Sequence, residues 1–374
     1  MVIHELEVFH VEMPLVTPFT TSFGTQVVRP CLIVRLGGEG ADGWGECVAG
    51  EGPWYSYETV ETAWHVIRSF IAPLILGQDV LDAGDLWARL SRIRGHRMAI
   101  AAVEQALWDL LAREARQPLA GMLGGTRRET PSGVSLGIKA SPALLVEAVA
   151  SHVEQGYQRI KLKIAPGRDL PFVAAVRERF PDILLSVDAN SAYSLADAAH
   201  LRALDEFNLL MIEQPLGEED IVDHATLQRQ LKTAICLDEA ICTPDNARHA
   251  IALGSCRIIN IKPGRVGGLL RSRQIHDICQ AAGIPVWCGG MLETNVGRAT
   301  NVCLASLPNF TLPSDISASA RYFRDDIAGP PFVLNPGGAM TVRSTPGTGV
   351  EIDHTALARV TQWHETMRAG SSVL

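Results

Sequence analysis

Five charged residues form an almost even ladder through the middle of the chain: Lys163, Asp188, Glu213, Asp238 and Lys262, at steps of 25, 25, 25 and 24 residues. Each ends an apolar run: RIKLKI, ILLSVD, LLMIE, AICLD and IINIK. One strand, one helix and two short loops occupy about that length, so the period is that of a repeated strand–helix unit. A repeat that brings a charged side chain to every strand end predicts a closed barrel with its chemistry gathered at one mouth.

Around this ladder the chain divides by pattern. Residues 1–125 read as alternating strands (IHELEVFHVEM, CLIVRL, GWGECV) followed by helices, the order of an α+β unit. In AIAAVEQALWDLLAREA, Val103, Ala106, Leu107, Leu110 and Leu111 keep one helical face. Residues 126–325 alternate strand and helix. SGVSLGI comes first, the five ladder strands follow, and IPVWCGG and FTLPSD complete a set of eight. Residues 326–374 are rich in proline and glycine; PFVLNPGGAMTV is expected to form a strand and the segment to return to the first unit.

The gross numbers narrow the partners. A net charge of -8 and no basic stripe argue against a nucleic-acid surface. No apolar stretch has the length of a membrane span, and the N-terminus lacks an export pattern. The eight cysteines show neither C-x-x-C nor zinc spacing and read as reduced, buried thiols of a cytoplasmic protein.

Asp188, Glu213 and Asp238 end successive strands, so their carboxylates converge on neighbouring staves. Three anions held together repel unless a cation joins them, and oxygen-only ligands favour a hard ion, Mg²⁺ first, with Mn²⁺ or another divalent ion as alternatives. Lys161 and Lys163, two apart on one strand, point to the same side, the interior if Leu162 and Ile164 face helices. Crowded ammonium groups disfavour each other's charge, so at least one of these lysines is expected to titrate low and serve as a base. Lys262 arrives from the far side. The chemistry that fits is removal of the proton α to a metal-bound carboxylate, ending in proton return or in loss of a β-group. A binding barrel with no catalysis has no need of opposed lysines.

With these residues in view, the chain resembles the enolase superfamily, within it the muconate-lactonising-enzyme-like subgroup and the o-succinylbenzoate synthase/N-acylamino acid racemase group. The motifs are Lys161-Leu162-Lys163, the three acids, and Lys262 in NIKPGRVGG. Along the rest of the chain the likeness is carried by TSFGTQ, GWGECV, IEQPL, CLDE, VWCGGMLET and GRATNVCLASLPNFTLPSDISAS. The resemblance implies an α/β fold: a (β/α)₇β modified TIM barrel with an α+β capping domain built from the N-terminal region and the C-terminal segment. It also implies Lys163 and Lys262 as acid/base lysines with Lys161 beside the substrate carboxylate, a small-molecule carboxylate substrate, and a homo-oligomer. Two reactions are implied, dehydration to o-succinylbenzoate in menaquinone biosynthesis and racemisation of N-succinylated amino acids. Dipeptide epimerisation and muconate cycloisomerisation are the alternatives; Asp315-Ile316-Ser317 lacks the second acid that dipeptide epimerases carry there.

Further pocket residues are expected from loops and strand ends: Phe19, Phe23, Trp54 and Tyr55 from the cap, Ser135, Gly290, Met291 and Glu293 from the first and seventh barrel strands, and Asp315 from the eighth. Asn190 is expected to support the ligand acids and Glu239 to brace them.

Overall fold

The computed structural model describes residues 1–370; the last four positions of the expected C-terminal segment lie outside the described residues. The N-terminal part opens with strand β1 (Glu5–Thr21), β2 (Gly24–Gly37) and β3 (Asp42–Cys47), and includes helices α1 (Ala83–Arg89) and α2 (Arg97–Glu114). β1 and β2 form a long antiparallel hairpin whose far end pairs Phe19 with Gln26 and Thr21 with Gly24. The tip reaches the barrel: the Ile138 amide donates to the Thr20 carbonyl at 2.9 Å.

Helix α2 is buried on nearly every side, including Glu104, Gln105 and Asp109. One face meets β3 so closely that a Cβ at Gly43 or Gly45 would lie 2.1 Å from the Ala106 carbonyl oxygen or 2.0 Å from that of Ala102. Glycine is required at both positions. The amphipathic face read from the sequence is therefore only half of the helix's contact surface: Gln105 and Asp109 accept from the β3 backbone, and Glu104 from amides of the barrel.

Seven parallel strands follow in order: β4 (Gly133–Leu136), β5 (Arg159–Lys163), β6 (Leu184–Asp188), β7 (Ile212–Glu213), β8 (Ile235–Leu237), β9 (Ile258–Ile261) and β10 (Val286–Cys288). The eighth stave is irregular, because FTLPSD carries a proline that has no N–H to donate. Single bridges join Phe310 to Val286 and Ser314 to Ser132, and the Gly133 amide donates to the Ser314 carbonyl at 2.7 Å. These bonds close the cylinder between β10 and β4. Leu162 and Ile164 pack outward with helix residues such as Leu145 and Val173, while Trp287, Met211, Cys236 and Ile258 fill the interior. Helices α3 (Leu269–Ala281) and α4 (Asn295–Ala305) flank the last staves.

The final strand β11 (Thr361–Arg368) joins the edge of β1, so the N-terminal sheet runs β11–β1–β2–β3. The strand expected in PFVLNPGGAMTV is confined to Ala339–Thr341 and pairs with Glu129–Pro131 beside the barrel, not with the N-terminal sheet. Pro331 and Pro336 both precede it and keep the ladder from extending toward the start of the segment. All eight cysteines are free and seven are buried, Cys242 being half-buried. No helix among the described residues is long and apolar enough to cross a membrane.

Candidate active site

Parallel pairing sets the site. Lys163 lies beside Asp188, and Asp188 beside Glu213, at one level of the barrel. Asp238 and Lys262 follow the last residues of β8 and β9. Lys163 and Lys262 thus sit on the second and sixth of eight staves, half a circumference apart.

The lysines and acids interlock. Lys161 Nζ lies 2.7 Å from Glu213, 3.1 Å from Asp188 and 2.6 Å from Asp315. Lys163 Nζ donates to Asp188 Oδ2 and Asn190 Oδ1, both at 2.6 Å. Lys262 Nζ donates to Asp238 Oδ2 at 2.7 Å and to the Tyr55 hydroxyl at 3.1 Å, and stands 4.6 Å from the centre of the Tyr55 ring. Beneath these, Arg159 pairs with Asp315 at 2.6 Å and lies over Trp287.

Electrostatics follow from burial and neighbours. Burial raises the Asp188 carboxyl, but Lys163 and Lys161 outweigh it and hold it far below the usual range. Asp315 is likewise held at about 2 by Arg159 and Lys161 against burial. Glu213 and Glu239 are pushed up, first by burial and then by the charge of Asp188. Of the crowded pair Lys161 and Lys163, the first is not a low-titrating lysine, and neither is Lys262. Burial lowers both, but Asp315, Glu213 and Asp188 around the first, and Tyr55 and Glu239 beside the second, hold the ammonium groups well above the ordinary lysine value.

A second departure concerns the acids. As they stand, no three His, Cys, Asp or Glu side chains among the described residues are arranged to hold an ion. The cause is visible: Lys161 lies between Asp188 and Glu213, and Asp238 turns to Lys262 and Arg265. The donor set nonetheless suits a hard divalent cation. It offers three buried carboxylates from adjacent staves, oxygen ligands throughout, and the buried Glu239 Oε2 without a partner.

The other expected residues divide. Asn190 accepts from Lys163 and donates to Glu239 Oε1 at 2.9 Å, with φ at +42°. Ser135 sits beside Lys161 in register, and its buried hydroxyl has no partner. A Cβ on Gly290 would lie 2.5 Å from the Asp315 carbonyl oxygen. Gly289 is tighter still, since a Cβ there would lie 2.6 Å from Lys262 Cε and 2.4 Å from Asn260 Oδ1. Met291 packs toward the N-terminal core, and Glu293 accepts from Asn301 at 2.9 Å, turned to helix α4 rather than to the lysines. Phe19 meets Tyr322 edge-on. Phe23 and Trp54 are exposed, at 43% and 70%, so neither closes over the lysines in this conformation. Of the four cap aromatics expected there, only Tyr55 touches the charged cluster.

Three polar residues of this network were not anticipated. Arg159 and Asn260 extend the period-two rows that carry Lys161 and Lys262, so strand alternation was the available signal. Asn260 donates to Glu213 at 2.7 Å. Arg265 pairs with Asp238 and donates to the Asn260 and Ile241 carbonyls at 2.6 and 2.8 Å. It lies on the short turn Pro263–Val266, where no period marks it.

Comparison with known proteins agrees with this architecture. Residues 3–124 match the mandelate racemase/muconate lactonizing enzyme N-terminal domain, and residues 144–356 match the enolase C-terminal domain-like family. The chain belongs to the enolase superfamily. It is 50% identical to the o-succinylbenzoate synthase of Geobacillus kaustophilus over 95% of this chain and 94% of that protein. It is 52% identical to the N-succinylamino acid racemase of an Amycolatopsis species, over 92% and 94%. A crystal structure of an enolase-superfamily member from Listeria innocua superposes with a TM-score of 0.95 at 42% identity, covering 99% of this chain and all of that one. Enolase-superfamily enzymes are generally dependent on a divalent metal, in keeping with the donor set.

Proposed function

We propose that this chain is an enolate-forming enzyme acting as an o-succinylbenzoate synthase, an N-succinylamino acid racemase, or both, with Mg²⁺ at Asp188, Glu213 and Asp238. The observation that carries the reading is the placement of Lys163 and Lys262 on opposite staves, with buried acids between them. A divalent ion bound there would polarise the substrate carboxylate and make the neighbouring C–H more acidic. Lys161, ringed by acids, stays an ammonium and offers its charge to the carboxylate oxygens. Lys163, in its neutral form, takes the α-proton from one face; Lys262 serves the other face. For racemisation the opposite lysine returns a proton. For dehydration the β-hydroxyl departs with a proton supplied from the pocket. Relatives named for each outcome lie at nearly equal identity, which supports one site serving both.

Two measurements test this. Lys163→Ala should lose α-hydrogen exchange into D₂O for one enantiomer of an N-succinyl amino acid, and Lys262→Ala for the other, with folding retained by circular dichroism. Exchange of both enantiomers at the native rate in either variant would defeat the assigned roles. Assaying the hydroxy-acid dehydration substrate, N-succinyl amino acids, dipeptides and muconate side by side should show turnover of the first two only.

A further inference from the structure

A separate cavity of about 580 Å³ lies where cap helix α1 and the loop before α2 face the start of barrel helix α3. None of the lysines or acids of the candidate active site lines it. Its walls carry three arginines, Arg94, Arg97 and Arg271, with the hydroxyls of Ser91 and Thr243, and no aspartate or glutamate. In a chain with a net charge of -8 this concentration of cations is anomalous.

The arginines lack ion-pair partners. Among the described residues none of the three makes an ion pair, although the arginines at 35, 68, 89, 113, 159, 248, 265 and 368 do. Arg97 donates to the Tyr57 hydroxyl at 3.0 Å and leaves its other N–H groups uncommitted. Arg271 stacks 3.6 Å from the centre of the Trp87 ring, which fixes its guanidinium plane. Burial and the charge of Arg97 both press the Arg271 guanidinium downward. The neighbouring acids are already engaged: Glu58, which feels the charge of Arg97, accepts from the Met98 and Ala99 amides at 2.9 and 3.1 Å, and Glu104 accepts from the Leu269 and Leu270 amides at 2.7 and 2.8 Å and from the Trp108 indole at 3.0 Å. Trp87 lines the same wall and presents its ring face to Arg271.

We propose that this cavity binds a small organic oxyanion carrying at least two negative charges, such as a phosphate ester or polycarboxylate, held by Arg94, Arg97 and Arg271 beside Trp87. Arginine forks suit such oxygens bidentately. The volume falls within the range of small-molecule pockets and exceeds what a single inorganic ion needs. A ligand here would bridge cap and barrel, because Trp87, Arg94 and Arg97 belong to one and Arg271 and Thr243 to the other.

Inorganic pyrophosphate titrated into the full-length protein, with sodium chloride at matched ionic strength as control, tests the proposal. Calorimetry should show saturable binding with pyrophosphate and none with chloride. Tryptophan fluorescence should change in parallel, and Trp87→Phe should remove that change. Arg94→Ala, at an exposed position, and Arg271→Gln should each weaken binding about tenfold while leaving circular dichroism intact. Absence of saturable binding in the native protein, or undiminished native affinity in both arginine variants, would overturn the proposal. A change of oligomeric state in Arg94→Ala, with no pyrophosphate bound by the native protein, would also overturn it by assigning the arginines to a contact between copies.

Discussion

At the scale of single residues, the site is a balance of buried charges, and Lys161 is its centre. It touches Asp188, Glu213 and Asp315, all of them buried. Replacing it by methionine keeps the volume but removes the one ammonium that three buried carboxylates share, leaving Asp315 to Arg159, Asp188 to Lys163 and Glu213 to Asn260. Loss of one partner of a buried ion pair costs about 3–5 kcal/mol, so Lys161→Met should unfold at lower denaturant concentration in the presence of chelator. Added Mg²⁺ should recover much of that loss, since a bound cation neutralises the same oxygens; equal midpoints with and without Mg²⁺ would contradict the ligand assignment. Legibility at this scale followed geometry. Strand alternation exposed Lys161 and Lys163, and it contained Arg159 and Asn260 as well. Arg265 stayed hidden because its approach to Asp238 depends on how a four-residue turn folds back. For Phe23 and Trp54 the sequence suggests a lid, as aromatic residues in glycine-rich loops do, without fixing where the loop comes to rest; both are exposed in this conformation.

At the scale of elements, cap and barrel are joined by carboxylates that cap helices across the seam. Glu46 on β3 accepts from the Thr294 and Gly297 amides at the start of α4, and Glu104 on α2 does the same for α3. Burial is the main cause that pushes both up to about 7 from a reference of 4.5, with Glu293 adding to the shift at Glu46. A carboxyl raised on folding favours the native state below pH 4.5, and that contribution is lost as pH rises to about 7. The stability of the native protein relative to Glu104→Gln should therefore decline by up to about 3 kcal/mol between pH 4.5 and 8, measured as the difference in denaturant midpoints. A constant difference would show that Glu104 stays ionised. The β3–α2 contact makes a second demand. Gly45→Ala would drive a methyl into the Ala102 carbonyl, so it should cost about 1–3 kcal/mol or more and lower the thermal midpoint. The glycines of GWGEC were visible in the sequence, but nothing in them named α2 as the helix they admit.

At the scale of the whole molecule, the last described strand returns to the first. β11 pairs with β1 from Glu5 to Val11, and Trp363 packs edge-on against Trp64 at 5.1 Å between ring centres. Ending the chain at Val360 would bare the edge of β1, a template for pairing with other chains. Such a truncation should reduce soluble yield and lower the thermal midpoint, and a protein as soluble and stable as the full chain would show that β11 is dispensable. The strand–helix period made the barrel readable because it repeats; the return of β11 occurs once and has no period. The eighth stave was legible as a segment, whereas its broken ladder reflects a proline set against local tertiary contacts.

Gly289, with no side chain of its own, is the floor on which Lys262 rests. A methyl group there would tilt that lysine and leave Lys163, across the cylinder, undisturbed. Under the roles proposed above, Gly289→Ala would make catalysis lopsided: one mirror-image substrate would still trade its hydrogen for deuterium, its partner would stay inert, and interconversion of the two would stall. Handedness in this pocket would then hinge on an atom the residue does not have.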